Sequence, residues 1–376
     1  MDELRPEPCQ LVQTVTVTLA DAPTPPKVAT VPTSALEQSL IDIWTEVLGL
    51  QQVGVNDNFF DLGGTSRAAA EMLSLLEKHF SCSLPMNVVA EAGTITELAN
   101  RLRASGRITD GALGLVRLSS MTSRRNFFCV HGLGGHALVF ARLARTLADE
   151  MSFYAFESMN RYIDEQLLSV EDMAERYLRE VRRIQPRGPY HLGGYSMGGL
   201  VALEMAHRLR RSGEQVGLVA LIDTDLVQIR TPVHPRAVDF VSRALGVSPP
   251  VSMPIEDIED AAELIRRRLS EQIGRPTHLS VDQIRRFAYA YVHNQSAISS
   301  YQIRQLYDGE VYLFYSTLGP HEAAQERREI LQLTGWANAS WADRLHVVPI
   351  ESDHWTILSD NVDALAVQLR HAIAGD

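Results

Sequence analysis

Cysteine is scarce in this chain. Three occur in 376 residues, Cys9, Cys82 and Cys129, too far apart for a disulfide framework or a thiolate metal site. That pattern fits a reducing compartment, and the cytoplasm is the expectation. Also lacking is any apolar run of the roughly 20 residues that a membrane-spanning helix needs. The opening MDELRPEPCQ has no signal-peptide pattern, so no membrane partner is expected. Nor is there an excess of basic residues. Net charge is −11, which argues against nucleic acid or an anionic surface as a general partner. What is there is an ordinary soluble composition, 45% hydrophobic and 22% charged, in a chain long enough for two or three domains.

Residues 1–33 are rich in Thr, Pro and Val. They read as a linker or upstream tail, with a short edge strand at TVTVTL as the alternative. Residues 34–105 read as a small all-α unit of four helices. ALEQSLIDIWTEVLGL places Leu36, Leu40, Ile43, Trp44 and Val47 on one helical face. VGVNDNFFDLGGTS is a loop carrying an aromatic pair, and SRAAAEMLSLLEKHF is a second amphipathic helix. In TITELANRLR, Thr94 with Glu97 three positions on predicts a capping box. Residues 106–111 are expected to be a linker.

From 112 to 376 the pattern alternates. NFFCVHG, SFYAFES, PYHLGGYS, VGLVALIDTD, GEVYLFYS and LHVVPIES read as strands. HALVFARLARTLAD, SVEDMAERYLREVRRI, GGLVALEMAHRLRRSG and NVDALAVQLRHAI read as helices. Apolar strands separated by helices predict a mainly parallel sheet covered on both faces. Between about 226 and 300 the alternation stops and three consecutive helices appear, placed where a lid over a site would sit.

The stretch from Gly194 to Gly198, GYSMG, fits the nucleophile elbow GxSxG, with a strand before it and a helix after it. The turn is so tight that only glycine fits beside the serine, whose Oγ faces outward. Ser196 is therefore the candidate nucleophile. A serine hydroxyl is weak at neutral pH and needs a base, which in turn needs an orienting acid. His354, ahead of the last helix, is the candidate base. His346 lies inside a strand pattern and His293 in the inserted helices, which suits structural and lid-surface roles. Asp223, at the end of LVALID, is the favoured acid. Asp225 and Glu322 remain alternatives, and Asp353 reads as a loop acid exposed to solvent. The oxyanion needs two N–H donors. Met197 follows the nucleophile, and Leu133 in VHGLGGH is the candidate for the second. GLGG lacks both the GxGxxG spacing and the lysine of phosphate loops. His131 and His136 do not make a zinc site, and no metal is expected.

Residues 112–376 resemble the terminal thioesterase domains of non-ribosomal peptide synthetases and polyketide synthases. FFCVHGLGG, GPYHLGGYSMGGLVALEMA, VALIDTD and SDHWTIL carry that likeness. Residues 34–105 resemble a peptidyl carrier protein through DNFFDLGGTS. The resemblance implies an α/β-hydrolase domain with a helical lid, preceded by a carrier, within a peptide or hybrid peptide/polyketide synthase. It also implies that Ser66 carries a covalent 4′-phosphopantetheine arm. Carriers commonly show leucine where Arg67 stands, which bears on the partner surfaces this one recognises. Histidine or aspartate is usual at Thr65, glycine at Ser352 and proline at Gly132. None of these changes removes a reacting group.

The implied reaction takes a peptidyl or acyl chain from the Ser66 arm to Ser196, then releases it by hydrolysis or macrocyclisation. Implied partners are a phosphopantetheinyl transferase and upstream condensation/adenylation or ketosynthase modules, acting on a monomeric chain. One rival is an editing thioesterase that clears stalled chains, which fusion to a single carrier disfavours. Another is a carrier or docking module with an inactive hydrolase fold, against which stand Ser196, an acid and His354.

Overall fold

The periodic set around Trp44 becomes the buried face of helix α1 (Ala35–Leu48). Leu40 and Trp44 lose all their exposure there, and burying a leucine contributes roughly 1.5–3 kcal/mol. Helices α2 (Ser66–Phe80) and α4 (Ile95–Ser105) pack on α1, and a single helical turn, α3 (Val88–Glu91), precedes α4. Phe59 meets Trp44 edge-on, with ring centroids 5.0 Å apart, and Phe60 stands against Phe59 at 5.4 Å. The aromatic pair therefore plugs the bundle. A Cβ at Gly64 would lie 2.4 Å from the Phe59 ring, so the second glycine of DLGG is a packing requirement. Thr94 and Glu97 exchange the two capping bonds the sequence predicted, both at 3.2 Å.

The computed structural model describes residues 35–80, 88–105, 114–119, 123, 125–158, 167–226, 240–247, 258–303, 307–318, 331–332, 335–336 and 344–374. The TVTVTL segment, the 106–111 linker and Glu322 lie outside them.

Among the described residues, seven strands form one sheet in the order β1-β3-β2-β4-β5-β6-β7. They are β1 (Leu115–Arg117), β2 (Asn126–Val130), β3 (Ser152–Phe156), β4 (Tyr190–Tyr195), β5 (Val216–Ile222), β6 (Val311–Ser316) and β7 (Leu345–Ile350). Every pairing is parallel except β1 with β3. The sequence did not indicate β1. Three residues carry no alternation signal, and the strand exists through its pairing with β3.

Side chains alternate across the sheet as the strand period requires. Phe128 and Val130 enter one core with α6 (Val170–Ile184) and α7 (Gly198–Arg211). Phe127 and Cys129 enter the other with α5 (Ala141–Thr146) and α10 (Val362–Ala374). Burial pushes the Cys129 thiol well above its usual pKa, so it packs as an apolar residue. The predicted helix HALVFARLARTLAD is shorter than expected, with Ala137–Phe140 forming a 3₁₀ turn ahead of α5. That turn is capped from outside, since Ala137 N–H donates to Glu157 Oε1 at 3.0 Å. Helices α8 (Ile258–Ile273) and α9 (Val281–Ser300) form the described part of the predicted lid, with a helical stretch at 240–244.

Strand order reverses between β2 and β4. In open parallel sheets the crevice beyond the strand ends at such a point is where ligands bind. The loops after β2 and β4 carry VHGLGG and YSMGG.

Candidate active site

Strand β4 ends at Tyr195 and α7 starts at Gly198, so Ser196 and Met197 turn the chain. Ser196 has φ 54°, a region that costs a non-glycine residue energy unless its surroundings enforce it. Here they do. Ser196 N–H donates to Ile222 O at 2.8 Å, and Ser196 O accepts from Thr224 Oγ1 at 2.9 Å. The flanking glycines leave room for the turn. A Cβ on Gly194 would lie 2.0 Å from Gly198 O, and one on Gly198 would lie 2.3 Å from Val130 O.

Tyr195 pairs with Ile222 in the β4–β5 register, so the next residue of each strand, Ser196 and Asp223, emerges at the same sheet edge. Asp223 also has positive φ, 47°. Its Oδ2 stands 2.6 Å from His354 Nδ1. Ser316 at the end of β6 completes the carboxylate's shell, its N–H donating at 2.7 Å and its hydroxyl at 2.8 Å to Oδ1. Burial alone would raise the Asp223 pKa. The imidazole and the two Ser316 donors outweigh it and hold the carboxyl below its usual value.

His354 follows β7 on a turn pinned by Asp353, whose Oδ1 accepts from Trp355 N–H and Thr356 N–H, each at 2.8 Å. Asp353 is therefore a half-buried turn residue and not the exposed loop acid that was expected. Burial would raise its pKa, but the bonds from Thr356 and Trp355 lower it. Tyr195 lies under the imidazole, rings stacked 4.9 Å apart, and its hydroxyl donates to His354 O. Burial, then the Asp223 and Asp353 charges, push that phenol well above its usual pKa, so it stays a donor.

The loop after β2 is held from several sides. His131 is fully buried, with Nε2 2.9 Å from Tyr177 OH. Gly135 N–H closes a turn onto Gly132 O at 3.0 Å. Leu133 O accepts from Asn294 Nδ2 at 2.9 Å, and Asn294 is a wholly buried residue of lid helix α9. Phe240 packs against Tyr291 of α9 at 4.5 Å and against Trp355 at 5.4 Å. These rings form an aromatic rim beside His354, which meets Trp355 edge-on.

Ser66 is the first residue of α2 and is half-buried. Thr65 caps that helix, its Oγ1 accepting from Ala68 N–H at 3.2 Å and its carbonyl from Ala69 N–H at 2.8 Å. The Ser66 hydroxyl is not needed for capping, which fits a serine kept for attachment of an arm.

The structure thus brings Asp223 and His354 together and sets Ser196 at the same sheet edge as Asp223. Asp225 lies beyond the strand end and is half-buried. His346 sits on the exposed side of β7 with Glu310, and His293 on α9 stacks on Tyr289. Sequence reasoning missed Ser316, Tyr195, Thr224 and Asn294. Only Tyr195 had a local signal, the aromatic in the elbow.

A parallel sheet with a serine at its sharpest turn, and an acid and an imidazole beyond later strands, is the α/β-hydrolase arrangement. Comparison with known proteins narrows the class. A family model described as a thioesterase domain matches residues 125–373, and one described as a phosphopantetheine attachment site matches residues 38–102. The chain is 30% identical over 349 residues, 90% of its length, to a dimodular nonribosomal peptide synthase from Bacillus subtilis (strain 168). It is 40% identical over 195 residues, 51% of its length, to malpinin synthetase from Mortierella alpina. It spans only 13% of the first relative and 2% of the second. A crystal structure of a holo four-domain nonribosomal peptide synthetase bound to AMP and glycine shares the fold over 91% of this chain and 26% of its own. That match has a TM-score of 0.60 at 24% identity. The NocB thioesterase domain shares it over 70% of this chain and 99% of its own, with a TM-score of 0.51 at 24% identity. The chain belongs to the thioesterase-domain family, in the carrier–thioesterase arrangement of nonribosomal peptide synthetases.

Proposed function

We propose that the chain releases finished peptidyl or acyl chains from a synthetase, residues 34–105 acting as carrier and 112–376 as thioesterase with a lid over 226–300. The observation that carries this is the 2.6 Å contact between Asp223 and His354 Nδ1, beside Ser196 at one sheet edge. In this reading Ser66 bears the 4′-phosphopantetheine. When bound, that group supplies the chain as a thioester.

Asp223 holds a proton on His354 Nδ1, which leaves Nε2 as the acceptor. His354 takes the Ser196 proton as Oγ attacks the thioester carbonyl, and the Met197 and Leu133 N–H groups hold the oxyanion. His354 returns the proton to the departing sulfur, leaving the chain esterified on Ser196. It then deprotonates water or a nucleophile of the chain itself as that group attacks the ester carbonyl. The proton is returned to Ser196 Oγ as the acyl–Oγ bond breaks, giving an acid or a ring. The aromatic rim of Phe240, Tyr291 and Trp355 stands beside the base, which Trp355 meets edge-on.

The Bacillus relative's description as a dimodular nonribosomal peptide synthase supports upstream modules as partners, with a phosphopantetheinyl transferase to install the arm. We take the chain to work as a monomer in the cytoplasm. The test is reaction with a serine-directed fluorophosphonate and transfer of a loaded chain to the protein. Both are expected to end on Ser196 and to disappear in Ser196→Ala. Label on another residue would overturn the reading.

A further inference from the structure

Helix α2 does not stand free. Ala70 joins the lid's own core of Leu269, Leu279, Ile284 and Phe287. One turn on, Ser74 Oγ donates to His278 O at 2.6 Å. Between them Glu71 is 1% exposed. Its carboxylate accepts from Thr277 Oγ1 at 3.1 Å, and Arg275 reaches it at 3.3 Å. Arg67, one turn earlier on the same helix, pairs with it at 3.5 Å. His278 also meets Glu46 of α1 at 2.9 Å. All the lid residues that make these polar contacts belong to the loop joining α8 to α9.

A carboxylate taken out of water is costly unless donors replace the water. Glu71 finds two of its donors on the lid, and they are held in place. Ser270 Oγ accepts from Thr277 N–H at 3.0 Å, and Thr277 Oγ1 accepts from Leu279 N–H at 3.3 Å. A carrier with an apolar or basic side chain at this position would leave Arg275 and Thr277 facing it unmatched. Contacts of this kind discriminate between partners more than they tighten binding.

Ser66, Ala70 and Ser74 are spaced by four and share one face of α2. The face that touches the lid is therefore the face from which an attached arm would leave.

We infer that the α8–α9 loop is the docking surface for this chain's own carrier, and that Glu71 is the residue by which the thioesterase selects it. The inference rests on the release function proposed above. It also gives Arg67 a role, as the third donor to the selecting carboxylate.

Two measurements on the full chain test it. In the unloaded protein, hydrogen exchange should show residues 66–76 and 270–280 protected. Glu71→Lys should lose that protection, and Glu71→Lys combined with Arg275→Glu should regain it. In the loaded protein, single-turnover loss of the chain from Ser66 should slow by about tenfold or more in Glu71→Lys, the tether masking part of a larger affinity loss. Hydrolysis of a free N-acetylcysteamine thioester should stay unchanged, and the double variant should recover. Continued modification of Ser66 by a phosphopantetheinyl transferase shows that the variant carrier still folds. Unchanged exchange in Glu71→Lys, or equal loss on loaded and free substrates, overturns the inference. Failure of the wild-type chain to hydrolyse the free thioester would instead sink the release reading, while the exchange data still judge the dock.

Discussion

Ser196 N–H donates to the carbonyl of Ile222, the residue just before Asp223. One bond thus ties the turn of the proposed nucleophile to that of the proposed acid, and both residues hold positive φ, 54° and 47°. Asparagine tolerates that conformation at least as well as aspartate. Asp223→Asn should therefore leave the fold intact while removing the charge proposed to fix the imidazole tautomer. We expect kcat to fall by about 10⁴-fold, measured on a free thioester. Near-normal turnover would move the acid's role to Asp225 or Glu322.

The lowered pKa of Asp223 also makes a statement about stability. Its carboxylate is better stabilised in the folded chain than in the unfolded one, where the ordinary value is about 3.9. That stabilisation is fully present above the unfolded value and is lost as pH falls through the lower, folded one. Urea unfolding of the thioesterase part between neutral pH and pH 3 should show the wild type losing stability at the acid end. Asp223→Asn should lose less over the same interval.

The elbow has no room for another methyl group. Gly194→Ala would drive a Cβ against Gly198 O, backbone against backbone, where no side chain can give way. Destabilisation of about 3 kcal/mol, the upper end of the usual overpacking range, is expected, read as a fall in the unfolding midpoint. Gly213→Ala makes the contrast, since nothing lies within 4 Å there and only the positive φ of 78° resists it. Its cost should be nearer 1 kcal/mol.

Asn294 ties lid helix α9 to the Leu133 carbonyl, on the loop proposed to supply the second oxyanion donor. Asn294→Ala should loosen that loop and lower kcat by up to about 100-fold, within the range for losing one donor. KM should change little. A rise in KM at constant kcat would assign Asn294 to substrate binding instead.

Trp44 is wholly buried in the carrier bundle, against Phe59. Trp44→Ala should cost about 3–5 kcal/mol, enough to unfold a bundle of this size. The expected signature is loss of transferase modification at Ser66 while fluorophosphonate labelling of Ser196 persists. Loss of both together would mean that the two parts fold as one unit.

The sequence alone determined much of this protein, because its strongest signals are local. Helical periodicity around Trp44, the Thr94–Glu97 cap, the strand–GYSMG–helix turn and the alternation of apolar runs each depend on residues close together in the chain. Steric fit and backbone hydrogen bonding act over such short spans, so the sequence records them directly. The tertiary structure decided what depends on partners far apart in the chain. It placed Asp223 rather than Asp225 on His354, brought Ser316 to the carboxylate from another strand and paired the three residues of β1. It also set Asn294 on the carbonyl of Leu133 and closed the Glu71 contact with Arg275 and Thr277. Such contacts exist only once the sheet and lid have brought the chain back on itself, and no spacing along the sequence encodes them.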